Sequence, residues 1–76
     1  MSVEIGLKGR AEETVTDANT AQAAFSGALP VYGTPFMTAL MEKAAWTSIA
    51  PRLAPGESTV GTAMNITHIS ASPVGI

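Results

Sequence analysis

Cysteine is absent from the 76-residue chain, which excludes a disulfide framework or thiolate-bound zinc as the staple of a small fold. Aromatic side chains are scarce, at one Trp, one Tyr and two Phe, and alanine carries much of the apolar fraction while burying little area. Fixed positive charge is scarce too, confined to Lys8, Arg10, Lys43 and Arg52. Without a basic patch or aromatic–basic interleaving, no nucleic-acid partner is expected. No apolar run approaches the ~20 residues of a membrane span, and the first residues lack the apolar core of a secretory leader. A cytoplasmic protein with no membrane partner is therefore expected. His68 is the lone histidine, so neither a metal site nor a cofactor is expected. The chain reads as one domain over residues 1–76. A chain this short buries a little over ~60% of its unfolded surface, so it is expected to need a partner chain or more of itself.

What is present is a long apolar helix in the stretch 31–50. Thr34 followed by Pro35 reads as an N-cap hydroxyl and a proline at the first helical position. Phe36, Met37, Leu40, Met41, Ala44, Ala45 and Ile49 then recur at helical spacing. Ala50 precedes Pro51, and a residue before proline is biased out of the helical region, so the helix is expected to end or kink there. That gives about sixteen residues, roughly 24 Å long. Such a helix wants to be wrapped by a sheet.

The β-favouring material lies on both sides of it. Val3, Ile5 and Leu7 alternate in the mixed segment 2–7, and residues 10–16 suit an edge strand. Residues 21–25 suggest a short helix or lid, capped by Asn19 or Thr20 and stopped by Gly27. After a connection over 51–57, residues 58–70 alternate faces with period two. Val60, Thr62, Met64, Ile66 and His68 share the bulkier face, expected to lie on the helix; Gly61, Ala63, Asn65, Thr67 and Ile69 share the other. The expectation is an α+β domain, apparently truncated after the strand that follows the helix, because two strands do not cover such a helix.

Three residues stand out chemically. Thr34 lies at a helix N-terminus, where unpaired N–H groups favour negative charge. Glu42 follows a little over two turns on, about 80° around the helix, and His68 comes from the strand face expected to meet it. A hydroxyl, a carboxylate and an imidazole are ingredients of acyl transfer. Each also has a plainer reading: Thr34 as a cap, Glu42 as a solvated carboxylate, His68 as a strand-end residue.

The segments Gly33-Thr34, Phe36-Met37, Leu40-Met41-Glu42, Ala50-Pro51, Leu53, Pro55-Gly56-Glu57, Gly61-Thr62-Ala63, Thr67-His68 and Ala71, Pro73, Gly75 together resemble thioesterases of the fluoroacetyl-CoA thioesterase type. The likeness runs from about Val31 to Ile76 without gaps. It implies a hotdog fold, an antiparallel sheet wrapped around a long central helix, with its last strands absent from this chain. It also implies a homodimer or higher homo-oligomer, and hydrolysis of a short or small acyl-CoA thioester to free acid and CoA. By the same resemblance, Thr34, Glu42 and His68 are catalytic, and Gly61, Gly33 and Phe36 bind substrate. At the gap-free position of the phenylalanine lid of the fluoroacetyl-specific member stands Ala28, beside Leu29, with Phe25 as the alternative lid residue. A non-catalytic hotdog-like module that binds an acyl or CoA ligand, or only self-associates, is the alternative. A hotdog dehydratase is weaker still, because the helix carries no aspartate–histidine pair.

Overall fold

The computed structural model describes residues 3–76, so Ser2, the first residue of the mixed segment 2–7, lies outside it. The long helix is present as α1, Thr34–Ile49, sixteen residues. Its N-cap is Gly33 in extended geometry, φ −79° and ψ 136°, with no side-chain cap. Thr34 is thus the first helical residue and not the cap, which corrects the expected start by one position. The backbone supplies the reason. The Gly33 carbonyl accepts the Phe36 and Met37 N–H groups, both at 3.0 Å, and closes the first turn without a hydroxyl. The Thr34 hydroxyl is left for another partner.

At the other end, Ala50 keeps helical angles, φ −47° and ψ −43°, and its N–H reaches the Trp46 carbonyl. The α-helix ends at Ile49 as expected, although Pro51 does not push Ala50 out of the helical region. The chain instead tightens into a 3-10 turn, Ala50–Arg52, where an early proline forfeits no hydrogen bond.

No strand of the expected sheet is present among the described residues. Among the described residues, pairing is confined to two isolated antiparallel bridges, Thr20 with Tyr32 and Val31 with Pro73. The segment 31–33 is hydrogen-bonded along both edges. On one side Ala21 donates to the Val31 carbonyl at 2.8 Å, and Gly33 donates to the Asn19 carbonyl at 2.9 Å. On the other, Tyr32 donates to the Ser72 carbonyl at 2.8 Å. Val15 exchanges bonds with the chain end, donating to Ile76 and accepting from Gly75, each at 2.9 Å. Residues 58–70 gain no ladder partner, and nor do residues 10–16 beyond Val15. A strand exists through its neighbour's N–H and C=O groups, and nothing described here offers them to those stretches. The expected short helix over 21–25 is a run of turns. Thr20 does cap it, accepting the Ala23 N–H at 3.1 Å, but Phe25 turns left-handed at φ 56° and stops it before Gly27.

Among the described residues only Val15, Thr20, Tyr32 and Gly33 are buried, and they sit beside the start of α1. The helix itself has no buried residue: Phe36, Met37 and Leu40 are half-buried, while Met41 and Trp46 are exposed. The N-terminal segment does touch it, at Gly9. A β-carbon there would fall 2.0 Å from the Ala44 carbonyl oxygen, so only glycine permits this approach. The chain exposes 5685 Å², where a compact monomer of its mass would expose about 4,400 Å². Its radius of gyration is 14.7 Å, against about 11 Å for a compact domain of this length. Among the described residues no helix is long and apolar enough to cross a membrane.

Tyr32 carries the polar cost of the small core. Its hydroxyl is buried without a well-formed hydrogen bond. The Glu13 carboxylate nearby already accepts the Asn19 side-chain amide at 2.8 Å. Burial first, and then Glu13, push the phenol pKa up from 10.0 to about 12. Because the folded value is raised, the neutral phenol supports folding below pH 10, and that support is lost as pH climbs through about 12. Tyr32 is the only tyrosine, so phenolate absorbance reports it directly. Half-ionisation near pH 12 is expected; a midpoint at an ordinary pH 10 would mean that Tyr32 is not buried in solution.

Candidate active site

The helix start and the segment after residue 58 bring two pairs of residues together. In the first, Thr34 Oγ1 and His68 Nδ1 lie 2.8 Å apart, although the two residues are 34 positions apart in sequence. His68 is half-buried and Thr34 exposed. The backbone on both sides explains the contact. Gly33, just before Thr34, is held by the Asn19 carbonyl, and Ser72, four residues after His68, is bonded by the Tyr32 N–H. When Nδ1 is unprotonated, the threonine hydroxyl donates and the ring can take its proton; in the other tautomer the ring donates to Oγ1. A cavity of about 260 Å³ opens beside the pair, lined also by Tyr32, Ile69 and Ser70.

In the second pair, Glu42 lies on Gly61. A β-carbon at Gly61 would fall 2.9 Å from Glu42 Oε2, so the missing side chain makes room for the carboxylate. Glu42 is exposed and makes no hydrogen bond or ion pair among the described residues. It borders a larger cavity of about 580 Å³, with Trp46, Ile49, Val60 and Met64 as apolar walls. Contacts of Gly61 with Glu42 and of His68 with Thr34 show the segment running back along α1, antiparallel to it. Of the face expected to meet the helix, only Ile66 and His68 are half-buried; Val60, Thr62 and Met64 are exposed.

The two pairs are not one cluster. Eight helical residues separate Thr34 from Glu42, about 12 Å along the axis, and the two side chains border different cavities. Gly33 and Phe36 border neither of them. The Gly33 N–H is taken by Asn19 and its carbonyl by the helix, while Phe36 packs near the Gly33 α-carbon. Trp46 and Met64 had no site role by sequence reasoning, because their place beside Glu42 depends on how the later segment crosses the helix.

These features have a counterpart among known proteins. The chain belongs to a thioesterase family. The pattern of the fluoroacetyl-CoA-specific thioesterases matches residues 15–76, starting at the first buried residue of the core, and the chain is a member of that family. The curated fluoroacetyl-CoA thioesterase of Streptantibioticus cattleyicolor is 48% identical over 46 residues, which make up 60% of this chain and 33% of that protein. The aligned stretch thus spans about a third of that relative. No solved structure matches the chain.

The contact between Glu42 and Gly61 can be tested without any assay of turnover. Gly61→Ala is expected to leave the helical circular dichroism unchanged, since only a flexible carboxylate must give way. The Glu42 side-chain NMR resonances should shift. Unmoved resonances would mean that the carboxylate does not rest on Gly61.

Proposed function

We propose that the protein works as an acyl-CoA thioesterase, hydrolysing a short or small acyl-CoA thioester to the free acid and CoA on a hotdog-type scaffold. The observation that carries this reading is the 2.8 Å contact between Thr34 Oγ1 and His68 Nδ1, in a chain of thioesterase family. In the proposed reaction, the thioester carbonyl sits at the exposed start of α1, where the helix dipole favours the developing oxyanion. Thr34 attacks that carbon or holds its oxygen, and His68 takes the hydroxyl proton and returns it to the departing thiolate. Glu42 stands about two turns away at the other cavity, out of direct hydrogen-bond reach of that carbonyl; its part in positioning or activating the attacking group rests on the family resemblance. Where Thr34 attacks, its acyl ester forms as the C–S bond breaks and its hydroxyl proton passes through His68 to the thiol; water then cleaves that ester, restoring the hydroxyl and releasing the acid. Where Thr34 only holds the oxygen, water attacks directly, and its protons end on the acid and the thiol.

The proposed unit is a homodimer or higher homo-oligomer. The chain exposes about 1,300 Å² more than a compact monomer of its mass, and an ordinary interface buries about 800 Å² on each partner. Met41, Trp46, Val60 and Met64 are among its exposed apolar side chains. The open phenylalanine-lid position at Ala28 supports an acyl preference broader than a fluorinated two-carbon group.

Glu42 and the Thr34–His68 pair border separate cavities, and this favours, as a second reading, a module that binds acyl-CoA without cleaving it. Release of free thiol from acetyl-CoA separates the two. His68→Ala is expected to slow release by at least about a hundredfold, the usual contribution of a positioned proton shuttle. Thermal stabilisation by CoA with no thiol released from any acyl-CoA would sink the hydrolase reading and leave the binding module.

A further inference from the structure

We propose that Asn19 is a positioning residue for the Thr34–His68 pair, which rests on the reading of that pair as the reacting groups. Asn19 lies outside both cavities that border the site residues, yet it is bonded through nearly every polar group it owns. Its Nδ2 donates to Glu13 Oε1 at 2.8 Å and to the Thr14 carbonyl at 3.0 Å. Its Oδ1 accepts the Thr16 N–H at 2.8 Å. Its backbone N–H donates to the Thr16 carbonyl at 3.2 Å, and its own carbonyl accepts the Gly33 N–H at 2.9 Å.

The side chain thus clamps the turn 16–19 from inside, and the carbonyl carries that clamp to Gly33. Gly33 is the residue that closes the first turn of α1, and Thr34 follows it directly. A shift of the Asn19 carbonyl passes to the Gly33 N–H and so to Thr34 Oγ1. The 2.8 Å contact with His68 has little slack, since a hydrogen bond weakens steeply once stretched or bent. Among the described residues no other residue ties the segment 13–19 to itself through its side chain and also presents its carbonyl to the helix start. Asparagine suits the position because it offers both a donor and an acceptor on one short side chain. Aspartate would keep the acceptor for Thr16 but turn a second oxygen toward Glu13 and the Thr14 carbonyl.

The test compares Asn19→Asp, and the double variant Asn19→Asp with Glu13→Gln, with the unaltered protein. The double variant supplies a donor where the carboxylate stood, facing the new oxygen. His68 imidazole nitrogen resonances report the Thr34 contact, circular dichroism reports the helix, and thiol release from acetyl-CoA gives kcat and KM. Asn19→Asp is expected to move the His68 resonances toward those of free histidine and to lower kcat at least tenfold with KM little changed. The double variant is expected to recover most of both. A single variant with native helix, native His68 resonances and native kcat overturns the proposal. Where the single variant does not fold, the double variant decides: recovery of the His68 signature supports the positioning role, and failure to recover it overturns the role. Absence of thiol release from the unaltered protein would count against the hydrolase reading alone, because the His68 resonances still judge Asn19.

Discussion

Everything chemically interesting in this chain hangs on three residues that come before the helix. Val31, Tyr32 and Gly33 are bonded on one edge to residues 19–21 and on the other to residues 72–73. That double pairing decides where α1 starts, since Gly33 closes its first turn. It also draws the segment after His68 alongside the helix start. The contact between Thr34 and His68 is a consequence of this arrangement. The local core of Val15, Thr20 and Tyr32 packs at the same end and excludes water from the short ladders, where a backbone hydrogen bond is worth more than it is on the surface.

The opposite end of the molecule is organised differently. Beyond the second turn of α1, the helix meets the N-terminal segment at Gly9 and the later segment at Gly61. Both contacts rely on glycine: at Gly9 backbone lies directly on the helix backbone, and at Gly61 it lies on the Glu42 carboxylate. Close approach of that kind brings surfaces together without burying much apolar area, which is why Trp46, Val60 and Met64 remain exposed. Burial of such side chains is the main favourable term in folding and association. An open face of this composition makes the proposed second copy physically reasonable, and it leaves Glu42 at a cavity whose final shape depends on what closes it.

Much of the helix was legible in the sequence. Its length and its end came from local signals, the apolar spacing from Phe36 to Ile49 and the proline at position 51. The start was misplaced by one residue because a threonine before a proline is a strong cap signal, whereas the backbone bonds of Gly33 are set by residues far away. The strand over 58–70 had the right alternation but lacks ladder partners in the structure, since periodicity records a preference and pairing requires a neighbour. Family resemblance carried Thr34, Glu42, Gly61 and His68; spacing alone left each with a plainer alternative.

By itself the sequence determined what is local or carried by motif: one long apolar helix and thioesterase kinship. Such features depend on neighbours within a few positions, or on a residue pattern that survives without coordinates. Only the tertiary structure decided that Thr34 reaches His68, that Glu42 rests on Gly61 two turns away, and that Asn19 is tied to the helix start. Those contacts join residues distant in the chain, and their existence turns on hydrogen-bond distances of a few tenths of an ångström, a precision that residue order does not encode.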